Sequence, residues 1–198
     1  MPRSYTRRID ILVLCTANQC RSPMAEVLLG ERLRALGVEA SVRSAGELAG
    51  GVAASGGSVR SMAARGLDLT GHRSQTLTPE ALAGADLVIT MARRHLRHAV
   101  AMRPEIFGRT FTLKELVRRA ASVGRRRPEE PIADWLARVH HGRTPSSLLG
   151  DDRDDDVSDP MGGPDARYEQ TAVELETLVD HFCELALAAP LPTGRETA

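Results

Sequence analysis

Lysine is almost missing from these 198 residues: Lys114 is the only one, and arginine carries nearly all the positive charge. Aromatic residues are scarce as well, at 3%. Neither sign of charge is in excess, since 26 basic residues meet 26 acidic ones. A chain with no basic field has nothing to draw in nucleic acid or anionic lipid. No apolar stretch at the N-terminus is long enough for a signal peptide or a membrane span. Cysteine is limited to Cys15, Cys20 and Cys183, an odd count that suits no disulfide framework. The expectation is a cytoplasmic chain with reduced thiols, no nucleic-acid or membrane partner, and arginines able to grip phosphate or carboxylate bidentately.

What is present is enough for a folded core: 42% of residues are hydrophobic and 26% charged. Length and composition predict a single domain over residues 1–189 and a flexible tail over 190–198. Residues 9–14, IDILVL, read as a strand buried on both faces. From Ser22 the period changes to that of a helix, with Pro23 in its first turn and Gly37 as its stop. Further strands are predicted at 39–44, 85–91 and 109–112, and helices over SVRSMAARG, 93–102 and 164–188. Alternating strands and helices imply an α/β fold: three layers, with a doubly wound parallel four-stranded sheet between helices. From 117 to 150 the pattern loosens into an insertion, with one amphipathic helix through Ile132, Trp135, Leu136 and Val139. That helix is either packed or a lid over a site.

Ligands of such sheets bind beyond the carboxyl ends of the strands. The sequence there is CTANQCRSP, residues 15–23, in which Arg21 follows Cys15 by six positions and Ser22-Pro23 opens a helix. If the loop Thr16, Ala17, Asn18, Gln19 and Cys20 curls around an anion, its N–H groups, the helix end and the Arg21 fork make a phosphate cradle. That field favours a thiolate on Cys15, and a thiolate facing phosphorus is a nucleophile. The spacing alone arises by chance about a third of the time in so arginine-rich a chain, and its place after a strand supplies the specificity. The reaction also needs a proton donor for the leaving oxygen and then a base for water. Asp159, fixed before Pro160 in VSDPMGG, can be both.

These motifs, with RSAG at 43–46 and GHRSQTL at 71–77, resemble the low-molecular-weight protein tyrosine phosphatase family, bacterial branch. The similarity runs from about residue 9 to 116 and again from 155 to 186. By that resemblance Cys15 is the nucleophile, Arg21 binds phosphate, Asp159 is acid then base, and Ser22 steadies the departing thiolate. The resemblance also implies a strained conformation for Asn18, held by Ser44 and His72. The resemblance implies a phosphorylated protein or peptide as partner, no cofactor, no metal, and a monomer or weak dimer.

Two departures bear on substrate. Residues 47–57, ELAGGVAASGG, and Met161-Gly162-Gly163 stand where tyrosine-directed members carry aromatic or bulky apolar walls. The Asp-Pro-x-Gly-Gly form resembles protein-arginine phosphatases, yet Gln19 stands where those place a small Thr. Phosphotyrosine is the expected substrate and phosphoarginine the alternative. An arsenate reductase of the same scaffold would need cysteines after the third strand, where TMARRHLRHAV has none. A silent phosphopeptide-binding module would not need every catalytic position filled. Cys20 is either a packed small residue or a resolving thiol for oxidised Cys15. His95 and His98 are expected at the surface, and DDRDDD (151–156) as a solvated run.

Overall fold

The computed structural model describes residues 8–148 and 153–187; the expected tail, 190–198, lies outside them. Its centre is a parallel sheet of β1 (Ile9–Cys15), β2 (Ala40–Gly46), β3 (Leu87–Thr90) and β4 (Thr110–Thr112), in the order β2-β1-β3-β4. β1 is interior, which is why it is apolar on both faces. Ile11, Val13 and Cys15 point into one core, and Leu12 and Leu14 into the other.

The first core is closed by α1 (Arg21–Ala35), α2 (Gly56–Ala63), α5 (Leu113–Val123) and α7 (Asp165–Ala186), with α7 packed on the other three. The second core is closed by α3 (Pro79–Ala83) and α4 (Arg93–Met102), through Leu82 and Ala99, with Ala85 from the turn before β3. This is the predicted three-layer architecture. Each fully buried Leu, Ile or Phe side chain contributes about 1.5–3 kcal/mol, so the two cores make the carboxyl ends of the strands a rigid platform.

Two helices were not expected from the pattern. α3 has only 5 residues, too short to show a period. α5 opens on an N-cap, with the Thr112 hydroxyl accepting from the Glu115 N–H at 3.1 Å. The insertion boundary set at 117 therefore falls inside α5.

The next helix, α6 (Ile132–His140), packs Trp135, Leu136 and Val139 into the first core. Trp135 Nε1 donates to the Gly124 carbonyl at 3.1 Å, and Arg119 Nε to the Val139 carbonyl at 2.7 Å. α5 leaves the carboxyl end of β4 and runs back along the sheet, so its C-terminal end, where α6 sits, lies toward the amino ends of the strands. α6 also packs on the turn at 104–109 that leads into the start of β4. A helix in that place buttresses the core and is no lid over the strand ends. Trp135→Ala is expected to lower stability by ~3–5 kcal/mol, read as a shifted denaturant midpoint, while the folded fraction keeps its affinity for inorganic phosphate.

Candidate active site

In this strand order the reversal falls between β1 and β3, and the crevice it opens at their carboxyl ends is where a doubly wound sheet binds its ligand. The loop Thr16–Cys20 occupies that place, between the end of β1 and the first turn of α1. Pro23 needs no hydrogen-bond partner so early in a helix. No acidic residue lies in that turn to cancel the positive helix end.

Two donors converge on the buried Cys15 sulfur: the Asn18 N–H at 3.2 Å and the Ser22 hydroxyl at 3.0 Å. Charge that gathers on the sulfur is therefore met by hydrogen bonds. Asn18 has φ 52°, the only positive value among described non-glycine residues. Its Oδ1 accepts from the Gln75 N–H at 2.8 Å. Because a backbone N–H can only donate, the amide orientation is set, and Nδ2 must face the hydroxyls of Ser22 (2.9 Å) and Ser44 (2.7 Å). Each hydroxyl then has its own proton to spend elsewhere. Ser22 directs it to Cys15, and Ser44 to the Glu26 carboxylate. His72 Nε2 donates to the Asn18 carbonyl at 2.8 Å.

The loop is tied from outside as well. The Thr16 carbonyl accepts from Glu47 N–H at 2.7 Å, and the Gln19 carbonyl from Ser55 N–H at 2.8 Å. Gly46 lies so close beneath it that a Cβ there would stand 2.7 Å from Asn18 N and 2.8 Å from the Thr16 carbonyl. Only glycine fits.

Arg21 is buried beside the loop. Its Nη1 donates to the Val157 carbonyl at 3.1 Å and its Nη2 to Asp159 Oδ2 at 2.5 Å. Its Nε has no acceptor among the described residues, a buried donor of the kind that an anion in the cradle would satisfy. Asp159 is 42% exposed by its side chain, and the Met161 N–H donates to its Oδ1 at 3.2 Å. Ala17 completes the loop between Thr16 and Asn18. Thus Cys15, Asn18, Arg21, Ser22, Ser44, His72 and Asp159 come together, although they lie on four separate stretches of chain.

Cys20 is buried, with its Sγ donating to Ser55 Oγ at 3.2 Å and lying 3.9 Å from Met161 Sδ. Burial pushes its thiol up. Cys183, inside α7, is pushed up to about 12 by burial. All three cysteines are free.

Several residues of this neighbourhood carry no signature in the sequence. Glu26 acts only through the fold. His95, expected at the surface, is 1% exposed, because its side of α4 packs behind the cradle loop. Arg94 Nη2 donates to Thr16 Oγ1 at 2.9 Å and its Nε to His95 Nε2 at 3.2 Å. With that nitrogen an acceptor, the Thr16 hydroxyl donates to it at 3.0 Å and the ring proton lies on Nδ1. The aspartate run is not wholly solvated either, since Asp155 is buried. Among the described residues no group of His, Cys, Asp and Glu is arranged to hold a metal.

Residues 10–130 match the family described as low molecular weight phosphotyrosine protein phosphatase. A protein-arginine-phosphatase of Geobacillus stearothermophilus is 34% identical over 175 residues, which cover 88% of this chain and 93% of that protein. A probable low molecular weight protein-tyrosine-phosphatase, EpsP, of Ralstonia solanacearum is 36% identical over 133 residues, covering 67% of this chain and 89% of its own. Among solved structures, a low molecular weight protein tyrosine phosphatase from T. tengcongensis superposes with a TM-score of 0.68 at 35% identity, over 89% of this chain and 98% of that one.

Burial, followed by the charges of Arg21, Arg94 and His98, pushes His95 down to about 3. The unfolded chain takes up this proton near 6.5 and the folded one only near 3. The stability tied to a neutral His95 is therefore complete above pH 6.5 and is lost as pH falls toward 3. Between pH 7 and 5 this amounts to about 2 kcal/mol. Denaturant titrations of the wild type and His95→Gln should differ by that slope; parallel curves would contradict it.

Proposed function

From the premise that the chain belongs to the low molecular weight phosphotyrosine protein phosphatase family, we propose that it hydrolyses phosphomonoesters on proteins, chiefly phosphotyrosine, through a phosphocysteine intermediate. The observation that carries this reading is the convergence of Asn18 N–H and Ser22 Oγ on the Cys15 sulfur, beside an Arg21 already bonded to Asp159.

The phosphoryl group enters the cradle, and its oxygens take up the loop N–H groups and the Arg21 fork. Cys15 Sγ attacks phosphorus in line with the ester oxygen. As the P–O bond breaks, the Asp159 carboxyl gives its proton to that oxygen. In the second step Asp159, now a carboxylate, takes a proton from water as it attacks the phosphocysteine. The S–P bond breaks, and Ser22 and Asn18 receive the charge on the departing sulfur. Gln19 and Cys20 shape the rim and wall of the loop. For Cys20 the hydrogen-bonded, packed role is favoured over that of a resolving thiol, since burial holds its proton on.

Cys15 is buried at the base of the site, so a long phosphorylated side chain reaches it and phosphoserine does not. The exposed apolar residues at the mouth suit an aromatic ring. Leu48 follows the Thr16 carbonyl contact, Val52 pairs with Ser74, and Met161 lies against Cys20. The second reading, phosphoarginine, is favoured by the protein-arginine-phosphatase of G. stearothermophilus, whose similarity extends over 88% of the chain. No described helix is long and apolar enough to cross a membrane. We place the enzyme in the cytoplasm, where its three free thiols stay reduced.

Turnover of phosphotyrosine, phosphoarginine and phosphoserine peptides, side by side, tests the reading. The phosphotyrosine peptide should have the highest kcat/KM, and a phosphoarginine peptide ahead of it would install the second reading. Cys15→Ser should abolish turnover and keep phosphate affinity, and Asp159→Asn should lose ~10²–10⁴-fold. Wild-type rates in Cys15→Ser would end the reading altogether.

A further inference from the structure

Between α6 and Asp159 the chain passes through a run of aspartates, and one of them faces away from water. Asp155 is 1% exposed. Its Oδ1 accepts from Arg118 Nη1 of α5 at 2.6 Å, and its Oδ2 from Arg93 Nε and Nη2, at the start of α4, at 2.9 Å each. A carboxylate taken out of water is costly unless its oxygens are filled by well-placed donors, and here two guanidinium groups from two helices fill them.

The residues that follow continue the attachment. Asp156 Oδ1 accepts from the Arg93 N–H at 2.8 Å, at the amino end of α4. The Val157 N–H donates to the Met91 carbonyl at 2.9 Å, which lays the chain beside the end of β3. Two positions further comes Asp159.

Asp159 itself is bonded to Arg21, and Arg21 is the group that phosphate must engage. Once phosphate holds the guanidinium, that bond no longer positions the acid. The attachments that do not change hands are those at Asp155, Asp156 and Val157, and of the three only Asp155 holds two guanidinium groups. We infer that Asp155, clamped by Arg93 and Arg118, is the positioning residue that keeps Asp159 over the leaving oxygen while Arg21 is occupied by phosphate. This rests on the reading of Asp159 as general acid.

An enzyme without a well-placed acid depends more steeply on how good its leaving group is, whereas a smaller active fraction lowers all rates alike. The experiment is therefore kcat/KM for p-nitrophenyl phosphate, a good leaving group, and phenyl phosphate, a poor one. It is measured in wild type, Asp159→Asn, Asp155→Asn and Arg118→Ala, together with inhibition by inorganic phosphate. The ratio kcat/KM covers the step in which the leaving group departs.

Asp155→Asn should lose about tenfold or more on phenyl phosphate and less than about threefold on p-nitrophenyl phosphate. Its inhibition by phosphate should stay unchanged. Arg118→Ala should move the same way by a smaller factor, and it decides by the same criterion if Asp155→Asn does not fold. Equal losses on both esters, or phosphate inhibition falling in step with turnover, would overturn the inference. If Asp159→Asn also treats the two esters alike, the general acid is misassigned and the positioning role falls with it. If Asp159→Asn is steep and Asp155→Asn flat, the positioning role alone is wrong.

Discussion

Asn18 sits at φ 52°, a left-handed conformation that costs most residues roughly 1 kcal/mol and asparagine less. Five hydrogen bonds hold it there, to Cys15, Ser22, Ser44, His72 and Gln75. That one constraint turns the chain after β1 so that a backbone N–H faces the Cys15 sulfur, and it fixes the direction of every hydroxyl proton around it. Because the Asn18 amide supplies donors to both serines, Ser22 can donate to the sulfur and Ser44 to Glu26.

The fold exists, in this sense, to make that turn affordable. The partners of Asn18 come from α1, from β2 and from the loop after α2, and Gly46 leaves space beneath it. The two cores hold those segments rigidly enough for distances near 3 Å to be kept. His95 is part of the same arrangement. It is a neutral imidazole wedged between α4 and the loop, accepting from Thr16 where a charged ring could not. Local strain and buried polar groups are tolerated at this end of the sheet because apolar packing elsewhere outweighs them.

The readable parts of the sequence were those with a local cause. β1 and α1 announce themselves through an apolar run and an amphipathic period, and Cys15, Arg21 and Asp159 stand in motifs whose chemistry is explicit. α5 was missed despite its Thr112 cap and an apolar stripe through Leu113, Leu116 and Ala120, because a boundary placed at 117 cut that stripe in two. Trp135 showed a helix but not its position, which depends on the path of α5. His95 and Asp155 look like surface residues in one dimension and become buried only when α4 and α5 converge on the loops beside them. The exposed Leu48, Val52 and Met161 lie in two stretches, 47–57 and 161–163, that read as featureless for want of aromatics.

The proposed mechanism turns on a phosphorus–sulfur bond at Cys15. The direct test is to mix the enzyme with an aryl phosphate carrying labelled phosphorus, quench with alkaline detergent within the first turnover, digest at alkaline pH, and locate the label. The account predicts a labelled peptide containing Cys15, appearing with the first equivalent of released phenol. Label on any other residue, or a first turnover complete with no label on the protein, would contradict it.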